Sequence, residues 1–316
     1  MILIISDIND PSTNEVIDWL NFFNQKFIRI NAHDIFDLDY LQIEQNKINW
    51  KITSNKIEVE FHQIKITWFR KGKITLNKLS INLLSNPELK EFLDNEVLIL
   101  EDFLMTSLKT KHYYGDIIGT INKINVLHFA AKVGLKIPDT FVFTRSSQIK
   151  NLDYKKEQLI TKPIFEVNRY LIGDKLMSSY TTKLNSIRLT NDKCFYTLIQ
   201  NEIYKEFEVR SFIFDNEIYS VAILSQKNNN TKIDFRNYDK ENPNRVIKFI
   251  LPIIIQEKIF KLMNYLGLNS GSVDLIYSYG NYIFLEINPV GQFSVLSFKG
   301  NFNIEKIIAL KLYNNA

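Results

Sequence analysis

The chain has 316 residues, 45% hydrophobic and 23% charged, with a net charge of +4. That supports a sizeable core and, on length, two or three units, while the weak, scattered positive charge excludes a nucleic-acid footprint and suits an acidic ligand or partner. The single cysteine, Cys194, excludes an intrachain disulfide and points to a reducing compartment, and His33, His62, His112 and His128 lack zinc-ligand spacing.

The opening MILIISDIND has no basic n-region and does not read as a signal peptide. No run of about 18 apolar residues is present for a membrane span. The longest, VIKFILPIII, contains Lys248 and Pro252. A cytoplasmic protein is expected.

In chain order, Met1–Ser6 predicts a strand. Ser12-x-x-Glu15 reads as a capping box opening a helix to about Phe23, and Phe27–Ile30 as a second strand, a β-α-β start. Residues 48–69 alternate as short strands ending in ITWFRKG. Residues 87–109 have helical spacing, with Leu89, Phe92, Leu93, Val97, Leu100 and Leu104 on one stripe. A second unit begins near Tyr113, with a helix from about Lys123 to Val133, a stop at Gly134 and a strand after Pro138. QLITKPI is a short strand ending in Lys162-Pro163, and 164–180 lacks periodicity and reads as a mobile loop. The rest is strand-rich: FYTLIQNEI, EVRSFIF and EIYSVAIL, a polar exposed loop at 225–245, and a helix at 253–266. A hairpin, SVDLIYSYGNYIFLEIN, and a helix at 303–313 follow.

The hairpin carries the chemical signal. With a three-residue loop at Tyr279-Gly280-Asn281, Asp274 lies opposite Glu286 and Ser272 opposite Asn288. Val273, Leu275, Tyr277, Ile283, Leu285 and Ile287 would form the apolar layer on the other face. Two opposed carboxylates repel, and a divalent cation between them would resolve that repulsion. Asp274, Glu286 and Asn288 offer the oxygens Mg²⁺ prefers. The alternative from spacing alone is a set of solvated residues on an open sheet face.

These residues resemble the metal-binding hairpin of ATP-grasp ligases. Lys123 in INKINVLHFAAKVGLKIPDT and Lys162 in LITKP resemble that superfamily's two nucleotide lysines, and LIQNEIYKEFEVRSFIF its adenine hinge. ITWFRKG, KIDFRNY and NPVGQF are similar to the graspetide (microviridin-type ω-ester/ω-amide) synthetases, nearest the grasp-with-spasm peptide maturases. The resemblance implies an α/β (α+β) ATP-grasp fold. It divides the chain into a pre-ATP-grasp-like domain (1–112), a central subdomain (113–190) and a C-terminal subdomain with the metal site (191–316).

It also implies ATP and Mg²⁺ as cofactors and a ribosomal precursor peptide as partner, and it allows a homodimer. Such enzymes join an Asp or Glu side chain to a Ser/Thr hydroxyl or a Lys amine. By position, Asp274, Glu286 and Asn288 would hold Mg²⁺. Lys123 and Lys162 would meet ATP phosphates or the adenine edge. Gln200, Glu202 and Ile203 would form the hinge, and Glu208 would accept from ribose. Arg210 and Arg236 would stabilise negative charge at the reacting centre. Arg70, Lys71 and Asp234 are candidate peptide contacts. Against these roles, Lys123 could be a helix-surface lysine, Asp234 and Arg236 a surface ion pair, and Arg70 to Lys73 a solubilising turn. The segment 164–180 has only Gly173 where many ATP-grasp enzymes have a glycine-rich loop, which shifts phosphate binding toward lysines and arginines. Two other functions fit the same residues: a ligase adding a free amino acid or amine to a protein or small acid, and a non-catalytic nucleotide-dependent peptide-binding module.

Overall fold

The computed structural model describes residues 1–45, 47–78, 86–116, 121–150, 152, 155, 158–165, 169–173, 175–178, 181–184, 192–225 and 244–316. The first part runs β1 (Ile2–Ser6), α1 (Pro11–Phe22), β2 (Phe27–Asn31), β3 (Ile35–Glu44), β4 (Lys47–Thr53), β5 (Glu58–Glu60), β6 (Ile66–Phe69), β7 (Thr75–Leu76), α2 (Pro87–Leu108) and β8 (His112–Gly115). The middle runs α3 (Lys123–Lys132), β9 (Thr140–Arg145), α4 (Ser146–Lys150), β10 (Leu159–Lys162), β11 (Arg169–Ile172), β12 (Lys175–Ser178), β13 (Thr182–Lys183) and β14 (Lys193–Asn201). The remainder is β15 (Phe207–Phe214), β16 (Glu217–Leu224), β17 (Arg245–Phe249), α5 (Ile253–Leu266), β18 (Ser270–Ser278), β19 (Asn281–Asn288), α6 (Ser294–Gly300) and α7 (Ile304–Asn314).

The first sheet, ordered β2-β1-β6-β8, is wholly parallel. Its central strand must therefore be apolar on both faces, which explains the unbroken ILII run. Ile2 and Ile4 join a core with Val16 and Leu20 of α1, whereas Leu3 and Ile5 face Trp50, Leu104 and Met105. The core containing Ile2 also takes in Phe212 and Phe214 of β15, Phe293, and Ile304, Ile308 and Leu312 of α7. The end of the chain thus returns to its beginning. This core draws on residues of both the expected first unit (1–112) and the expected last one (191–316).

A small antiparallel sheet, β13-β10-β14-β9, encloses Ile149, Leu159, Leu184 and Ile199. The largest sheet, β17-β16-β15-β18-β19, is antiparallel throughout. Its inner face packs Val209, Ile213, Val273, Leu275 and Phe284 against α3 and α5.

Several expectations are corrected here. Helix α1 is capped by Asp10, not Ser12: the Asp10 carboxylate accepts from the Ser12 amide at 3.3 Å, and Pro11 occupies the first turn. Proline suits that position because its φ is already helical and its missing N–H would have no helical partner. The segment 164–180 contains a hairpin, β11 paired antiparallel with β12. Such a ladder satisfies its own backbone and needs no side-chain periodicity. On α2, Leu89 and Phe92 are exposed, so the apolar stripe reaches the core only in the helix's second half. Strands β3 and β17 and helix α6 were not anticipated, and the loop expected at 225–245 lies almost wholly outside the described residues.

The β18–β19 turn has two residues, Tyr279 and Gly280, both at positive φ (43° and 77°), with Ser278 opposite Asn281. The residue lost from the expected three-residue loop reappears as a bulge: Asp274 pairs with Glu286, but Leu275 pairs with Phe284, leaving Leu285 unmatched. A bulge shifts which side chains face inward. Phe284, fully buried, therefore replaces Ile283 and Leu285 in the core layer. Beyond the bulge the expected pairs hold, Asp274 with Glu286 and Ser272 with Asn288.

Candidate nucleotide and metal site

Period two along β15 puts Glu208, Arg210, Phe212 and Phe214 on the face away from Val209 and Ile213. Cross-strand pairing extends that face into a row: Arg210 opposite Asp274, and Asp274 opposite Glu286. The next row contains Phe212, Ser272 and Asn288. The aromatic end of this face belongs to the core, and the polar end carries the candidate site residues. Arg210 Nη1 lies 3.5 Å from Asp274 Oδ2. That cation offsets part of the repulsion between the two carboxylates.

Asp274, Glu286 and Asn288 form an all-oxygen donor set of two carboxylates and one carboxamide, which suits a hard divalent cation such as Mg²⁺. Asn288 Oδ1 also accepts from the Val290 amide at 3.1 Å, which fixes its orientation. Among the described residues, no three His, Cys, Asp or Glu side chains gather into a metal cage. A cation here would complete its shell with waters or phosphate oxygens, as Mg²⁺ commonly does.

Glu208 is buried beside this row. Its Oε1 accepts from Lys205 Nζ at 2.6 Å and Ser225 Oγ at 3.0 Å. Burial pushes the Glu208 carboxyl above its ordinary range, against the downward pull of Lys205, and the negative charge of Asp274 pushes the same way as burial.

Lys123, Lys162 and Glu286 line one small cleft together with Val126, Leu198 and Leu285. Lys123 occupies the first turn of α3, behind the cap Asn122, where a cation opposes the helix dipole. Lys162 ends β10, paired with Leu198 of β14. Of the residues expected to form the hinge, Gln200 lies near the end of β14, and Glu202 and Ile203 lie between β14 and β15. Gln200 is buried and donates from Nε2 to Thr140 Oγ1 at 2.8 Å, so its side chain is engaged within the sheet. Glu202 pairs with Lys183 at 2.7 Å and its amide donates to the Gln158 carbonyl. Ile203 is half-buried.

Arg70 is not an exposed peptide anchor. It is buried against Asp10 and the loop after Asn288, with its guanidinium engaged on both. Lys71 is partly exposed, 3.9 Å from Asp10. Asp234 and Arg236 lie outside the described residues. Sequence reasoning missed Lys205 and Asp10. Asp10 was detectable as a carboxylate just before Pro11, but nothing local marks Lys205 as buried.

No family model matches the chain, and no curated protein matches it. Among solved structures, macrocyclase MdnC from Microcystis aeruginosa MRC, bound with precursor peptide MdnA, is 23% identical, with 99% of this chain and 100% of that one covered and a TM-score of 0.74. A RiPP-associated ATP-grasp ligase of Chryseobacterium gregarium, in complex with ADP and a leader and core peptide, is 20% identical over 100% and 97%, with a TM-score of 0.76. ATP-grasp ligase PsnB, complexed with minimal precursor, Mg and ADP, is 12% identical over 99% and 97%, with a TM-score of 0.68. At these identities the likeness establishes the fold, which is that of these ATP-grasp ligases. No helix among the described residues is long and apolar enough to cross a membrane.

Proposed function

We propose that this protein is an ATP-dependent macrocyclase of a ribosomally made precursor peptide. It would activate Asp or Glu side chains as acyl phosphates and join them to Ser/Thr hydroxyls or Lys amines. The observation that carries this reading is the convergence of Lys123, Lys162 and Glu286 on one cleft, beside the Arg210–Asp274–Glu286 row. The peptide complexes of the MdnC and Chryseobacterium structures support a peptide substrate, and the PsnB complex supports Mg²⁺ and a nucleotide.

A carboxylate is a poor acyl donor because oxide leaves badly. Transfer of the γ-phosphoryl group to it releases ADP and turns one oxygen into a phosphate leaving group. Such transfer depends mainly on positioning and charge neutralisation. Lys123 and Lys162 would neutralise phosphate oxygens, and Glu202 and Ile203, with the Gln200 backbone, would frame the base. Glu208 would accept from ribose. When bound by Asp274, Glu286 and Asn288, Mg²⁺ supplies further neutralisation of the phosphates. Arg210, with Arg236, would stabilise the oxyanion formed when the hydroxyl or amine attacks and phosphate departs. The β11–β12 hairpin, just beyond Lys162, is the candidate cover that excludes water from the acyl phosphate. Lys71 and Asp234 remain candidate peptide contacts.

The test is incubation with Mg-ATP and the precursor peptide encoded nearest the gene, read by peptide mass. Loss of one or more waters, dependent on ATP and abolished in Glu286→Gln, is the expected result. An unchanged peptide with ATP turnover on a free amino acid would replace the cyclase by the ligase reading. Nucleotide-dependent peptide binding without turnover would leave the binding module.

A further inference from the structure

Arg70 directly follows β6 of the N-terminal sheet, within ITWFRKG, yet it is only 2% exposed. Its guanidinium joins two distant segments. Nε donates to Asp10 Oδ2 at 2.9 Å and Nη2 to Ser12 Oγ at 3.2 Å, both at the start of α1. Nη1 donates to the carbonyl of Gly291 at 2.6 Å and to that of Val290. Its central carbon sits 5.1 Å from the centre of the Phe293 ring.

The loop it grips directly follows Asn288. Within that loop, the Val290 amide donates to Asn288 Oδ1 and the Gly291 amide to the Asn288 carbonyl, each at 3.1 Å. Gly291 has φ +57°, and a Cβ there would come within 2.8 Å of the Phe212 ring and 2.9 Å of Gly271. The loop is therefore seated against the sheet face that carries the candidate metal donors. An apolar side chain of similar volume could fill the Arg70 space without the cost of burying a charge. It could not draw two successive carbonyls onto one donor, as a planar guanidinium does.

We propose that Arg70 is a positioning residue that clamps the carbonyls of Val290 and Gly291 and so holds Asn288 in line with Asp274 and Glu286. The N-terminal sheet would thereby set the geometry of a metal site about 220 residues further along the chain. The metal side of the proposal rests on the Mg²⁺-nucleotide reading; the clamp itself does not.

Two variants test it in the full chain. Arg70→Lys keeps a charge for Asp10 but cannot serve Asp10 and both carbonyls together. The double variant Asp10→Asn with Arg70→Met removes both buried charges. Hydrogen exchange at the Val290 and Gly291 amides of the ligand-free protein should quicken by about tenfold or more, with β18 and β19 unchanged. Calorimetric titration of Mg²⁺ into the protein with ADP should show a midpoint raised by about tenfold, with metal-free ADP affinity as in the parent. Unchanged exchange in a variant that melts like the parent overturns the proposal, and so does faster exchange with an unmoved Mg²⁺ midpoint. If the double variant does not fold, Arg70→Lys carries both measurements. If the parent binds no ADP at any Mg²⁺ concentration, the nucleotide reading fails; faster exchange then upholds the clamp, and unchanged exchange overturns it.

Discussion

Replacing Lys205 by Met leaves Glu208 in a site built for a charge pair. The two side chains are 5% and 6% exposed and their charged atoms lie 2.6 Å apart. At an effective dielectric of about 20, unit charges at that distance attract by about 6 kcal/mol, much of it offset by desolvation. Removing one partner of a buried pair typically costs about 3–5 kcal/mol, because the other charge is left uncompensated. Ser225 still donates to Glu208, which places the expected loss toward the lower end.

The loss should depend on pH. Burial already raises the Glu208 carboxyl above its ordinary value of 4.5, and removing Lys205 withdraws the main force holding it down. A group with a raised native pKa contributes its full stability below the unfolded value and loses it as pH rises through the native value. The variant should therefore approach the parent near pH 4.5 and fall furthest behind at pH 8. Urea unfolding of the parent, Lys205→Met, Glu208→Gln and the double variant at pH 5 and pH 8 would measure this. The double variant should recover most of the loss at pH 8. An equal deficit at both pH values, or one under about 1 kcal/mol at pH 8, would refute the reasoning.

Other outcomes follow from the same structure. Phe284→Ala, which empties a fully buried site between the hairpin, α3 and α5, should cost about 3–5 kcal/mol in chemical unfolding. Gly291→Ala should cost about 2–4 kcal/mol, combining a left-handed backbone with a clash on Phe212, and a melting temperature equal to the parent's would contradict that. Lys162→Ala should raise the KM for ATP by about tenfold or more while the melting temperature stays within about 2 °C, since it borders the cleft and not the core. Burial pushes the Asp10 carboxyl up, but Arg70, Ser12 and Lys71 outweigh it and hold it below its ordinary value of 3.8. Its contribution is therefore present above pH 3.8 and lost as pH falls further, so Asp10→Asn should lag the parent at pH 7 and converge with it in acid titration.

Much of this protein is written in local pattern. The ILII run of β1 specifies a strand buried on both faces because a parallel sheet leaves no wet side. That Ser272 shares a face with Asp274, and Glu286 with Asn288, follows from the two-residue period of a strand. The lysines were legible as types at positions, through resemblance.

What the chain's order could not express is where distant segments meet. A shorter turn and a bulge at Leu285 leave the Asp274–Glu286 pairing where a longer loop would put it. The bulge brings Phe284 into the core beside residues of α3 and α5. Arg70 reads locally as surface, because an arginine followed by Lys71 and Gly72 carries no mark of burial. It is buried because Asp10, 60 residues before it, and the carbonyls of Val290 and Gly291, 220 and 221 residues after it, supply its partners. Periodicity reports which way a side chain points from its own strand or helix; the charge it meets there is decided by elements that arrive from elsewhere in the fold.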